Sequence, residues 1–205
     1  MKKIILLMVI SMAILSVTAQ EKVKQKELGL VFQNFDNFGI MYKFGNQNSM
    51  WRLKSVYGNS VSQEQKSEND EANSKQFSGG LSFGKQFTAS IDEKLDFVYG
   101  ADVSFGYSKS ANESDYSFDE SERYSKTESH TYRTGLNLLL GFNYVINKKI
   151  VIGAELLPGV SYNWGKATST IKKDGENEEV VERDTSAFYI GASSSSALLS
   201  VAYRF

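Results

Sequence analysis

Leu95-Asp96-Phe97-Val98-Tyr99-Gly100-Ala101-Asp102-Val103-Ser104-Phe105-Gly106-Tyr107 decides the fold. Leu95, Phe97, Tyr99, Ala101, Val103, Phe105 and Tyr107 share one face of an extended chain, and Asp96, Val98, Gly100, Asp102, Ser104 and Gly106 share the other. A period of two is the signature of a β-strand whose faces meet different surroundings. The first face suits hydrocarbon and the second does not.

The pattern repeats further along the chain. In 132–146, Tyr132, Leu136, Leu138, Leu140, Phe142, Tyr144 and Ile146 oppose Arg133, Gly135, Asn137, Gly141 and Asn143. In 152–164, Ile152, Ala154, Leu156, Val160, Tyr162 and Trp164 oppose Gly153, Glu155, Gly159, Ser161 and Asn163. At the end of the sequence, Leu199, Val201, Tyr203 and Phe205 oppose Ser200, Ala202 and Arg204. Aromatics gather near the segment ends, which predicts a lipid-interface girdle that includes Tyr107, Tyr132, Tyr144, Tyr162 and Trp164.

Composition fits a barrel wall. Thirteen Phe, eleven Tyr and sixteen Gly against one Pro describe a strand-rich chain better than a helical one. The mean hydropathy of -0.33 has a soluble look, but half of every barrel strand is polar by design. With no Cys there is neither a disulfide framework nor a lipid-anchor cysteine. A net charge of -1 gives no basic face for a nucleic-acid partner.

The amino-terminal region reads as an export leader. Lys2 and Lys3 precede an apolar run from Ile4 to Val17, and Val17-Thr18-Ala19 offers small residues for cleavage before Gln20. The run is too short to cross a bilayer comfortably, and no later stretch reaches helix-spanning length. The expectation is a signal peptide over 1–19, Sec export, and a single outer-membrane barrel domain over 20–205. Only a closed barrel then satisfies the backbone in lipid.

Eight antiparallel up-and-down strands are expected: Glu27–Gln33, Phe38–Phe44, Trp51–Tyr57, Phe77–Phe87, Leu95–Tyr107, Tyr132–Ile146, Ile150–Trp164 and Phe188–Phe205. An even count places short turns at Gly45–Asn48, Thr88–Lys94 and Asn147–Lys149 on the periplasmic side with both mature termini. It leaves long polar loops at Asn59–Gln76, Lys109–Ser129 and Lys166–Thr185 outside. An alternative that splits the last strand at Ser193–Ser196 and merges the first hairpin puts those loops in the periplasm. Pro158 removes a ladder donor and predicts a bulge or bend beside Gly159.

An eight-stranded interior is filled by side chains or holds one small ligand. This register points Glu27, Lys43, Arg52, Lys54, Asp96, Asp102, Arg133, Glu155 and Arg204 inward. Five cations and four carboxylates predict a plugging ion network rather than a conducting pore. Inward glycines such as Gly84 and Gly141 leave room for it. No cofactor is expected, and no metal: one His and no Cys leave only loop carboxylates, without calcium-loop spacing.

The carboxyl-terminal Tyr203-Arg204-Phe205 resembles the last strand of bacterial outer-membrane barrels. That resemblance implies that Tyr203 and Phe205 act as an insertion signal read by the barrel-insertion machinery. The chain from about Glu27 to Phe205 is similar to the small outer-membrane barrel family typified by the OmpX and OmpA transmembrane barrels. The resemblance implies a monomer among outer-membrane lipids and lipopolysaccharide, serving as an envelope-structural or loop-display scaffold without catalysis. The expected chain ends without the peptidoglycan-binding domain of longer relatives.

Three rivals remain at this level: a narrow channel, a small-ligand or lipid-binding barrel, and a lipid-modifying enzyme. Small outer-membrane enzymes use a His with a Ser or an acidic partner. His130 is the only histidine, and Ser129 points to the opposite face of an extended strand. The loops are acidic, with Glu113, Asp115, Glu128, Glu179, Glu182 and Asp184 among their carboxylates. Divalent cations could bridge these to phosphate-rich lipid.

Overall fold

Residues 24–33, 38–67, 70–118, 121–173, 177–191 and 197–205 are described by a computed structural model of the chain. The expected leader lies outside them, as do the Asn34–Asn37 turn and the Ser193–Ser196 stretch. Among the described residues there are ten strands: β1 Lys24–Phe32, β2 Phe38–Asn46, β3 Ser49–Lys66, β4 Asp70–Ser90, β5 Leu95–Phe118, β6 Ser121–Ile146, β7 Ile150–Leu156, β8 Gly159–Lys173, β9 Glu179–Gly191 and β10 Ala197–Arg204.

All pairings are antiparallel, and β1 to β7 with β10 close into a ring of eight. The first hairpin stays two strands. The ten strands fill eight positions, because β8 continues β7 along the same edge of β6. Register is unbroken on that side, from Leu140↔Leu156 to Asn137↔Gly159. Leu138 N–H donates to Pro158 O at 2.8 Å across the break. Pro158 cannot donate in return, and its neighbouring strand slips: Leu156 faces Ala197 in β10, whereas Gly159 faces Gly191 in β9. The discontinuity expected at Pro158 is therefore confined to one edge of the strand.

Short turns join the strands at one end. Asn147 and Lys148, at φ 50 and 59, are the central residues of a tight turn within the three-residue link Asn147–Lys149, in which Lys149 N–H bonds Ile146 O at 3.1 Å. The ring is sealed there by Phe205, whose N–H and O exchange bonds with Lys26 at 2.9 and 3.1 Å.

The opposite end differs from the sequence reading. The stretches read as polar loops are largely strand. β5 and β6 pair from Leu95↔Tyr144 to Phe118↔Ser121 without a register shift. β6 and β8 pair up to Arg123↔Lys173, and β3 and β4 pair up to Lys66↔Glu71 with one irregularity between Val56 and Asn59. A tilted strand crosses a bilayer in roughly 9–11 residues, yet β5 has 24 and β6 has 26. Beyond the closed ring, β3-β4-β5-β6-β8-β9 therefore continue as a six-stranded sheet.

Polarity hid this because both faces of the projecting sheet are polar. Its outer face carries charge, as at Lys109, Glu113, Lys126, Glu128 and Lys166. Its inner face carries small hydroxyls that bond across strands: Ser110 to Ser129 at 2.8 Å, Thr127 to Ser169 at 3.2 Å, and Ser74 to Asn112 at 2.7 Å. Such cross-strand pairs each contribute a fraction of a kcal/mol. Hydrogen exchange should accordingly find the amides of Ser110–Phe118 and Ser121–Glu128 largely protected, and trypsin should cut slowly at Lys126 and Lys172. Rapid exchange throughout that span would restore the loop description.

Candidate functional site: the charged lumen and the aromatic rim

Alternation sends large apolar side chains outward. Leu138 is 57% exposed, Phe105 62% and Leu199 62%, within an apolar belt that runs around the ring. Water would not tolerate that belt, whereas hydrocarbon requires it. A soluble ligand-binding barrel would turn its aromatics inward, and this one turns them out. At the short-turn end Trp51 stacks on Phe83 at 5.1 Å and Phe87 on Tyr99 at 5.5 Å. At the other end Tyr107, Tyr132, Trp164 and Tyr162 form a continuous row with centroids 5.3 to 5.9 Å apart. Tyr144 lies apart from that row, near the short-turn end of β6. On β5, Tyr99 and Tyr107 are separated by about 27 Å along the strand. A tilt of about 40° reduces that to about 21 Å, close to the apolar height of outer-membrane barrels.

The lumen holds an alternating chain of charge. Arg204 Nη2 lies 2.8 Å from Glu27 Oε1, and Lys43 Nζ lies 3.8 Å from both Glu27 Oε2 and Glu155 Oε1. Arg52 grips Glu155 with both terminal nitrogens, at 3.1 and 2.6 Å. Its Nε stands 3.3 Å from Asp102 Oδ1, and Lys54 Nζ reaches Asp102 Oδ2 at 3.5 Å. The bond from β3 to β7 crosses the barrel interior. Glu27, Lys43, Arg52, Asp102 and Glu155 are each at most 3% exposed. Gly84 faces Asp102 and Gly141 faces Glu155 in register. A Cβ at either glycine would collide with that acidic residue or the backbone beside it.

Seven of the nine inward charges expected from sequence thus meet in one chain. Arg133 does not: it has the inward parity but stands above the closed ring, where β6 pairs with β8. There it is exposed and donates to Asn163 Oδ1 at 2.9 Å. Asp96, near the short-turn end of β5, is half-buried and makes no ion pair with the chain among the described residues. Parity reports the face of a strand but not the height, and height separates these two from the rest.

At the rim, His130 Nδ1 lies 2.9 Å from the Tyr107 hydroxyl on the outer face, while Ser129 turns inward to Ser110. Above it Lys126 pairs with Glu128 at 2.9 Å, and this ammonium holds the Glu128 carboxyl below its ordinary range. Glu113 accepts the Tyr124 hydroxyl, which pushes that phenol up. The acidic stretches are therefore interspersed with cations. Among the described residues no cluster of three or more His, Asp or Glu side chains could hold a metal ion. Sequence reasoning missed the outward Lys85, whose ammonium lies 4.4 Å over the Trp51 ring. A lysine next to aromatics at a strand's membrane end was its only signal.

A closed ring, a lipid-facing belt between two aromatic rows and a polar plugged interior define a small transmembrane β-barrel of the outer membrane. The chain belongs to the "Putative OmpA-OmpF-like porin family", whose pattern matches residues 64–188. A search of curated proteins gives no significant sequence match. Among solved structures, the chain is similar to a major outer membrane protein of Thermus thermophilus, at 10% identity and a TM-score of 0.43, covering 89% of this chain and 100% of that one. It is also similar to Ail, the attachment invasion locus protein of Yersinia pestis, at 16% identity and a TM-score of 0.35, covering 89% and 97%. Acinetobacter baumannii CarO matches at 11% identity and a TM-score of 0.34, covering 88% and 96%.

Proposed function

We propose that this protein is an occluded barrel whose work is done outside the cell, by the six-stranded sheet that its own wall strands build. The observation that carries this reading is the unbroken β5–β6 ladder, which runs from the membrane wall to Phe118↔Ser121. A barrel built only to span would stop at the rim. In this reading residues 1–19 are a Sec leader, 20–205 are the mature barrel, and the short turns and both ends face the periplasm. Tyr203 and Phe205 present the last strand to the insertion machinery. The barrel is a monomer among outer-membrane lipids and lipopolysaccharide.

The narrow channel is the second reading, because the lumen is lined by charge. The Arg52–Glu155 bond across the interior favours occlusion over conduction. Catalysis has no support in the surroundings of His130, whose ring bonds Tyr107 instead of a serine or a carboxylate. Planar-bilayer recordings of the purified barrel should show no stable, large conductance. Replacing Ser110–Glu128 by a two-residue turn should leave insertion intact while abolishing an adhesion or envelope-resistance phenotype, because projecting segments carry contacts and the wall carries the fold. Steady current through the intact barrel would overturn the proposal in favour of the channel.

A further inference from the structure

We propose that the outer face of β5, β6 and β8, immediately beyond the upper aromatic row, is a binding site for the phosphate of a lipid headgroup, held by Lys109, His130 and Lys166. The site rests on the orientation proposed above, with the sheet end outside the cell. The register brings the three residues together: Lys109 faces His130, and His130 faces Lys166. Neighbouring strands lie about 4.8 Å apart, so the row spans about 10 Å. Its three members are far apart in the sequence, and only the ladder aligns them.

Height selects the ligand. The residues one step below on the same face are Tyr107, Tyr132 and Trp164, and such rings settle at the headgroup level of a bilayer. The row above them therefore meets phosphates. Lys109 and Lys166 are exposed and His130 is half-buried. The Tyr107 hydroxyl occupies Nδ1 of His130 at 2.9 Å. With Tyr107 donating, the proton resides on Nε2, which can then donate to an anionic oxygen. Carboxylates border this row, one further out and one at its β9 end. Glu128 lies one step further out and pairs with Lys126 at 2.9 Å, and Asp184 stands at the edge, across from Lys166. Free phosphate shares the headgroup's chemistry. The lipid is favoured because the row sits on the membrane wall, and below its aromatic neighbours the same face continues with the outward Phe105, Tyr162 and, one step lower, Leu136, against which an acyl chain would lie.

The chain has two tryptophans and one histidine, which supply clean probes. The full barrel carrying Trp51→Phe, refolded into phosphatidylcholine vesicles doped with brominated phosphatidic acid, reports lipid contact by quenching of Trp164. Phosphatidic acid should be preferred about tenfold over brominated phosphatidylcholine, as expected for two lysines at an anionic surface. The Lys109→Gln, Lys166→Gln double variant should bring the preference to near unity, whereas Lys148→Gln at the opposite end should leave it unchanged. No preference in the parent barrel, or one that survives the double substitution, overturns the site. Glycerol phosphate at millimolar concentration should leave the His130 ring resonances unmoved in pure phosphatidylcholine; a clear shift would assign the row to free phosphate and overturn the lipid. Insertion is scored separately by heat-modifiable gel migration. A parent chain that fails to insert overturns the barrel reading and this site with it, whereas an inserted barrel without lipid preference sinks the site alone.

Discussion

Replacing Arg52 by alanine is expected to destabilise the barrel by about 3 to 5 kcal/mol, the usual penalty for stranding a buried charge. Glu155 would lose both short bonds and keep only Lys43 at 3.8 Å, and Asp102 would keep only Lys54 at 3.5 Å. The cause is desolvation: a carboxylate in a water-poor lumen has few other groups to satisfy it. Removing both charges, as Arg52→Met with Glu155→Leu, should recover most of the loss, since the bidentate pair disappears whole and the volume stays filled. Reversible urea unfolding in lipid vesicles measures both variants. Equal destabilisation by the single and double changes would assign the effect to packing.

The second large effect belongs to the opposite face of the wall. Leu138 points outward about midway between Tyr132 and Tyr144 on β6, and its replacement by Arg should cost roughly 2 to 4 kcal/mol, because a guanidinium there meets hydrocarbon. Its neighbour Asn137 faces inward, where its amide donates to Ser104 at 3.3 Å. Asn137→Ser keeps a polar group in a polar interior and should cost far less. Similar losses in the same vesicle assay would mean that the assigned faces are wrong.

These faces were legible in the sequence wherever one side meets lipid and the other does not. Leu95–Tyr107 and Tyr132–Ile146 alternate apolar against polar, and the wall follows directly. The projecting sheet was illegible for the same reason, since both of its faces meet water and no apolar alternation survives. A second period of two was nevertheless present. In 121–132, Ser121, Ser125, Thr127, Ser129 and Thr131 alternate with Glu122, Tyr124, Lys126, Glu128, His130 and Tyr132, Arg123 being the exception. Hydroxyl against charged or aromatic is also a strand pattern, but hydropathy does not register it.

Lumen residues were readable up to the level of parity. Glu27, Lys43, Arg52, Lys54, Asp102, Glu155 and Arg204 meet as their faces require. Arg133 strays because a parity argument carries no information about how far along the axis a strand has risen. The row Lys109, His130, Lys166 could not be read at all without pairing, because its alignment depends on register between strands distant in sequence. Pro158 was readable as an interruption, though not as one confined to a single edge. Which neighbour slips depends on the registers of β9 and β10.

The bond between Arg204 and Glu27 joins residues 177 apart in sequence, and this separation bears on how the barrel assembles. Until β10 arrives, Glu27 and Lys43 line a wall with an open seam, and their charges would face hydrocarbon if that wall entered the bilayer. Insertion of the early strands alone is therefore disfavoured. Closure thus waits on a contact between the two ends of the described chain, and contacts of such long range form slowly. A purified chain truncated before residue 197 should accordingly insert poorly into lipid vesicles, as heat-modifiable gel migration would show.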